Sequence, residues 1–304
     1  MLRVDWHRLK GYAPLCFITL GIVLWRVTAP FAVILPWIIS AMLFFAVLNM
    51  PLRAVAPRPK HLVLLALHLG LGGGLYLLLS LWNPLIATSL FMCFIAPAAT
   101  AAGAMTSLME GDTGFATGYT ILTHGLICFL APFLLPLLDD HSQLPFWTLS
   151  GQIALLVARM VILPITLAWL VRYLMKRRGR TPGPHRTLTY WLWLSSLIFI
   201  LGKAVAFVSE EGGGNPLLIV ASFGVGFLAC ALQFTLGPPL SRWIGVEEVA
   251  CRQAMGQKNT ALTLWLCISF MHPLVAPGIA GYIAWQNFFL TYYMNRYLRQ
   301  STRS

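Results

Sequence analysis

Apolar residues run through the chain in blocks of about twenty, each closed by Pro, Gly or a cluster of charge. Neither the alternation of a half-buried strand nor the narrow stripe of a soluble amphipathic helix organises them. A bilayer-crossing helix needs about 20 predominantly apolar residues. Dividing the runs at their breakers gives ten candidates, at roughly 12–27, 31–50, 60–82, 85–109, 114–138, 148–174, 188–207, 216–239, 246–269 and 274–296. The intervening loops are short and leave no room for a soluble domain, so the pattern predicts a single all-α integral membrane domain.

Two candidates are interrupted. "FIAPAATAAGAMTSLMEGD" holds Pro97, which removes a backbone donor, followed by small residues and Gly103 that weaken a helix. "AMGQKNTALTLWL" places Gly256 beside Gln257, Lys258, Asn259 and Thr260. Four polar side chains at that depth, one of them charged, are costly and mark a functional place. Ten helices divide into residues 1–142 and 143–304, and because five is odd, the second five enter from the opposite side. The interrupted helix is fourth in each half. Discontinuous helices at matching positions of two inverted repeats point to a transporter's binding site, and unwound backbone is tolerated there because it lines a cavity.

Composition agrees with a membrane class. Of 304 residues 58% are hydrophobic and 10% charged, against about 25% charged in soluble domains. The net charge of +12 would suggest nucleic acid in a soluble protein, but here most basic residues fall in short loops and termini, where they orient helices. With the N-terminus inside, the inner segments carry Arg3, Arg8, Lys10, Arg53, Arg58, Lys176, Arg177, Arg178, Arg180, Arg186, Arg242, Arg296, Arg299 and Arg303, together with the turn that holds Glu110 and Asp112. The outer ones carry Arg26, Asp139, Asp140, Glu210 and Glu211. This predicts a multi-pass protein of the inner or plasma membrane with both termini cytoplasmic. The first apolar run follows basic residues as a secretion signal would, but no small-x-small cleavage site follows, so it is expected to be retained. The six cysteines lack CxxC spacing and predict neither a zinc site nor a disulfide frame. No phosphate loop, HExxH or GxSxG occurs, so no cofactor, metal or enzyme activity is expected.

The two interrupted segments resemble the signatures of the bile acid:sodium symporter family. The first matches its Pro-Gly-Gly-Thr-Ala-Ser-Asn segment with the helix that follows; "MGQKNTALTLWL" matches its Glu-x-Gly-Met-Gln-Asn-Ser-x-Leu-Ala. The motifs cover about 60 residues. The resemblance implies inverted five-helix repeats, a core and a panel, two crossing broken helices, and alternating access for organic anions. It also implies two sodium sites, whose matching positions here are Ala102, Gly103, Ala116, Thr120 and Ala254 for the first, and Ala254, Lys258 and the neighbourhood of His68 for the second. Only Thr120 keeps an oxygen ligand at the first site, while Gly256 and Asn259 match directly. Sodium is therefore not expected at these sites. The expectation is that the Lys258 ammonium takes the cation's place, against unwound carbonyls and the hydroxyls of Thr100, Thr106 or Thr260.

Charge accounting supports this without the family. All nine acidic residues lie in loops or at helix ends, so Lys258 has no carboxylate at its own depth. A buried ammonium must find negative partners or give up its proton. The candidate partners are carbonyls at helix ends and a small organic anion, bile-acid-like or another carboxylate, with protons as a further candidate. Lys258 could instead snorkel to an interface, and Gln257, Asn259 and Thr260 could be interhelical glue. His124 shares a face with Thr120 and Ala116, four and eight residues before it. His124 and His68 could shuttle protons or simply fill a packing role. Arg159 and Lys203 are expected to have structural or interfacial roles, Gly70, Gly72, Gly73 and Gly74 to be close-packing positions, and Asp139–His141 to be a solvated turn. Beside a secondary transporter with lipid and anion as partners stand a symporter with a relocated ion site, an uncoupled facilitator, and a membrane sensor or intramembrane enzyme.

Overall fold

The computed structural model describes residues 6–48, 58–138, 144–183, 186–211 and 215–301. The Asp139–His141 turn, Arg3, Arg53 and Arg303 lie outside the described residues, as do the side chains of Arg8, Lys10, Arg186, Glu211 and Arg299. The described chain is helical, with no strand beyond one isolated bridge. In order it forms α1 (Trp6–Val23), α2 (Trp25–Thr28), a 3-10 stretch (Ala29–Ile34) and α3 (Leu35–Leu48). Then come α4 (Pro59–Ser80), α5 (Pro84–Ile95), α6 (Ala101–Leu108), α7 (Thr113–Leu138) and α8 (Phe146–Val157). A π-helical turn (Ala158–Ile162), α9 (Leu163–Arg177), α10 (Arg186–Glu211) and α11 (Pro216–Ile244) follow, then α12 (Glu248–Gly256), α13 (Thr260–Phe270) and α14 (Ala276–Ser301).

Six helical stretches among the described residues are long and apolar enough to cross a bilayer: Trp25–Leu48, Pro59–Ser80, Thr113–Leu138, Phe146–Arg177, Thr187–Glu210 and Pro216–Ile244. Their exteriors carry Trp37, Leu77, Phe129, Trp147 and Leu217 largely exposed, as lipid-facing helices require. The structure differs from the sequence expectation at the first break and at the glycines of α4. The first break falls at Leu24, and Pro30 sits inside a continuous helical stretch, because the 3-10 turn places it where a missing N–H costs nothing. Of the four glycines in α4 only Gly72 is a close-packing position, where an added Cβ would stand 2.6 Å from Phe94 Cβ; Gly70, Gly73 and Gly74 face open space. Helical spacing explains the difference, since Gly72 continues the buried His61, Leu64, His68 face.

The inner helices pack around α5, α11 and α14. Gly226 of α11 lets the backbone of α14 approach, since a Cβ there would lie 2.9 Å from Tyr282 N. At one end of the bundle the starts of α4, α7 and α12 meet the end of α14. Arg58 pairs with Asp112 at 2.6 Å, Lys60 donates to the Gly245 carbonyl, Asp112 N–H donates to Glu247, and Tyr297 donates to Glu110. Arg58, the Glu110–Asp112 turn, the Gly245–Glu247 turn and Tyr297 thus share one end of the structure. Although burial alone would raise it, the Phe115 amide and the Arg58 guanidinium hold the Asp112 carboxyl below the usual carboxylate range.

Candidate functional site

The site begins with what the breaks do to backbone hydrogen bonds. Pro97 has no N–H, so the Cys93 carbonyl loses its helical donor; Gln233 Nε2 of α11 supplies one at 3.4 Å. The Ala98 N–H, which a continuing helix would direct to Phe94, goes instead to Thr123 Oγ1 at 3.0 Å. The carbonyls of Phe94 and Ala96 are thereby left in the protein interior needing donors. Both find Lys258 Nζ, at 3.3 and 3.1 Å.

The second break faces the first directly. Gln257 and Asn259 are extended and half-extended caps between α12 and α13, and the two unwound strands pair antiparallel around Ala98 and Lys258. Asn259 N–H donates to Pro97 O at 2.7 Å, and Ala99 N–H donates to Gln257 O at 2.8 Å. Each break therefore satisfies part of the other's orphaned backbone. The remainder goes to α14, where Gln286 Oε1 accepts from Lys258 N–H at 2.6 Å and Tyr282 donates to Gly256 O at 2.8 Å.

Alternation along an extended strand sends neighbouring side chains to opposite sides. Lys258 points to α4, α5 and α11, is 2% exposed, and reaches His68 Nε2 at 3.1 Å. His68 Nε2 also meets Gln233 Oε1 at 2.8 Å, and His68 Nδ1 meets Tyr119 Oη at 3.0 Å, the two rings lying nearly parallel. Asn259 points the other way, to α7. Its Nδ2 lies 3.1 Å from His124 Nε2, and its Oδ1 accepts from Leu262 N–H as the N-cap of α13. His124 Nδ1 lies 2.8 Å from the Thr120 carbonyl, which makes Nδ1 the donor and Nε2 the acceptor from Asn259.

The other anticipated positions divide. Thr120 Oγ1 donates to the Ala99 carbonyl at 3.2 Å and so touches the first break. Ala102, Ala116 and Ala254 are wholly buried and apolar. Gly103 packs on Thr117, and Gly256 lies so close to Phe234 that a Cβ would stand 2.7 Å from its ring. The hydroxyls expected around Lys258 are not there. Thr106 donates to Ala102 O of its own helix, Thr100 is half-buried and caps nothing through its side chain, and Thr260 opens α13 without bonding Lys258. Carbonyls and an imidazole replace them, because the broken helix exposes backbone rather than side chains at that depth. Gln257 Nε2 and both polar atoms of Gln253 are buried and have no protein partner. Arg159 is exposed on the π-helical turn, and Lys203 is half-buried on α10.

Tyr119, Thr123, Gln233, Tyr282 and Gln286 belong to the site and escaped sequence reasoning. Gln233 carried a usable signal, as an isolated amide in the apolar run "FLACALQFTL". Among the described residues no group of His, Cys, Asp and Glu could hold a metal ion. No protein-family model and no curated protein matches the chain.

Proposed function

We propose that the chain is a secondary transporter of a small organic anion, working by alternating access around the crossing of the two interrupted helices. On this reading it is a divergent member of the bile acid:sodium symporter group, with ten crossings in two inverted five-helix repeats, both termini cytoplasmic, in an inner or plasma membrane. Lys258 stands where the group holds a cation, and its ammonium supplies the positive charge that the carbonyls of Phe94 and Ala96 face. The observation that carries this reading is the antiparallel pairing of the two breaks around Ala98 and Lys258, deep among apolar helices. Irregular backbone at that depth is tolerated where it serves a transport path. The unpaired amides of Gln253 and Gln257 beside the crossing suit a ligand that offers both donors and acceptors.

Uptake of a panel of radiolabelled carboxylates into proteoliposomes tests it, with a sodium gradient, a proton gradient or neither imposed. The expected result is saturable uptake that sodium does not stimulate. Sodium-driven uptake would overturn the role given to Lys258. A panel with no substrate at all would overturn transport, in favour of a membrane sensor or intramembrane enzyme.

A further inference from the structure

One atom of the site is asked for two things. His68 Nε2 lies 2.8 Å from Gln233 Oε1, an acceptor, and 3.1 Å from Lys258 Nζ. A neutral imidazole nitrogen carries either a hydrogen or a lone pair, and an ammonium has donors only. The orientation of Gln233 is set by its Nε2, which donates to the Cys93 carbonyl that Pro97 left open. With Oε1 so directed, Nε2 of His68 carries the hydrogen, Nδ1 accepts from Tyr119 O–H, and Lys258 can bond to His68 only as a neutral amine. The opposite arrangement is equally complete around the lysine. Three ammonium hydrogens meet three acceptors, the carbonyls of Phe94 and Ala96 and the Nε2 lone pair, while Nδ1–H donates to Tyr119. The geometry accommodates two states that differ by one proton.

We propose that Lys258 and His68 form a proton-loading site in which the imidazole relays the proton, and that the proton is the ion coupled to anion movement. The coupling half rests on the transporter reading; the loading half does not. In the unloaded state Lys258 is an amine, His68 bears Nε2–H, and the Tyr119 hydroxyl donates to Nδ1. A proton arriving from water bonds to Nδ1 as the Tyr119 hydroxyl turns to accept. The Nε2–H bond breaks, and its proton passes to the Nζ lone pair. The result is an ammonium, a neutral Nδ1–H imidazole and a net gain of one proton and one positive charge; release reverses each step. Gln233 Oε1 loses its donor in the loaded state and must turn or withdraw, which ties α11 to the charge on Lys258.

The groups facing the pair leave no other site for the charge. They are Cys93 of α5, whose thiol donates to Ser89 O, Tyr119 of α7 with Cys251 of α12 beside it, and Cys230 and Gln233 of α11, while Tyr282 and Gln286 of α14 bond to the backbone of Gly256 and Lys258. None is a carboxylate or a second cation, and the ion pairs found among the described residues lie elsewhere, at helix ends. A loaded Lys258 therefore draws an anion into the same cycle.

Nitrogen-15 NMR of the full chain in liposomes, with its seven histidines labelled and His68 assigned through His68→Gln, tests the loading site. From about pH 11 down to about pH 5, spanning the ordinary lysine and histidine values, His68 is expected to change from the Nε2–H to the Nδ1–H tautomer without a populated imidazolium. In both Lys258→Met and Lys258→Gln the change is expected to vanish, with the His61 and His124 signals retained as the check on folding. A single tautomer at every pH, or an imidazolium titration unaltered by loss of Lys258, overturns the loading site. In the uptake assay, carboxylate entry is expected to acidify the lumen, and His68→Gln and Tyr119→Phe each to slow both about tenfold, a barrier increase of about 1.4 kcal/mol. Uptake without proton movement overturns the coupling. A tautomer change in a protein that moves no anion upholds the loading site and removes the transport reading.

Discussion

The two interruptions pair with each other yet solve the same physical problem in different ways. The first, Ala96–Thr100, has hardly any polar side chain and is held by its neighbours. Thr123 takes its Ala98 amide, Thr120 gives to its Ala99 carbonyl, and Lys258 gives to Phe94 and Ala96. The second, Gln257–Asn259, brings its own chemistry, with Asn259 capping the next helix and Lys258 filling the carbonyls opposite. Around Lys258 the first break offers acceptors and the second offers hydrogens, while the two backbones exchange one hydrogen bond in each direction. The difference teaches that two breaks that meet need not be chemically alike. Where backbone is unwound in an apolar interior, what matters is that the pair of breaks is satisfied jointly.

Breaking the donor side should cost the most. Lys258→Met is expected to lower anion uptake about 100-fold, the ~3 kcal/mol of losing one partner of a buried polar cluster. Thr100→Ala at the acceptor side, whose hydroxyl caps nothing, should change uptake by no more than about twofold. Equal effects in the two variants would refute the complementarity.

A second pair of substitutions compares how each break is supported. Thr123→Val strands the buried Ala98 amide and is expected to reduce stability by about 1 to 3 kcal/mol in thermal or denaturant unfolding. An unchanged midpoint would mean that the first break does not depend on α7. Asn259→Ala removes the cap of α13 and the donor to His124, for a loss of about 0.5 to 2 kcal/mol. Asn259→Asp keeps the capping oxygen and should recover part of that loss. If Asp behaves like Ala, the contact with His124 carries the effect instead of the cap.

The smallest effect lies at the bundle end, away from both breaks. The Asp112 carboxyl is held below its unfolded value, so its contribution is present above the ordinary carboxylate range and is lost as pH falls through the folded value. Its ion pair with Arg58 is part-exposed, which limits the effect to ~0 to 1 kcal/mol. Unfolding of Asp112→Asn followed from neutral to acid pH should show a shallower decline than the parent protein, and parallel curves would remove Asp112 as a contributor.

Much of this was legible in the residues. Pro97 and Gly256 announced the two breaks because a missing N–H and a missing Cβ are local properties of the chain. Lys258 announced itself because no acid lies at its depth. The partners of Lys258 were not legible. Thr100, Thr106 and Thr260 look suitable by composition and sequence proximity, yet the side chain turns to His68, 190 residues earlier, and to carbonyls that carry no sequence signature. Tyr119 and Gln233 escaped for the same reason, since each is unremarkable until α4, α7 and α11 meet.

The sequence by itself determined the all-helical class, the membrane-type apolar lengths, the places where two helices fail and the burial of an unpaired cation, because propensity and hydrophobicity act residue by residue along the chain. Only the tertiary structure decided that the two failures pair antiparallel, that they share their hydrogen bonds around Ala98 and Lys258, and that His68 Nε2 stands between an acceptor and an amine. Those are consequences of packing between distant helices, and a hydrogen bond depends on ångström distances that no spacing along one helix can set.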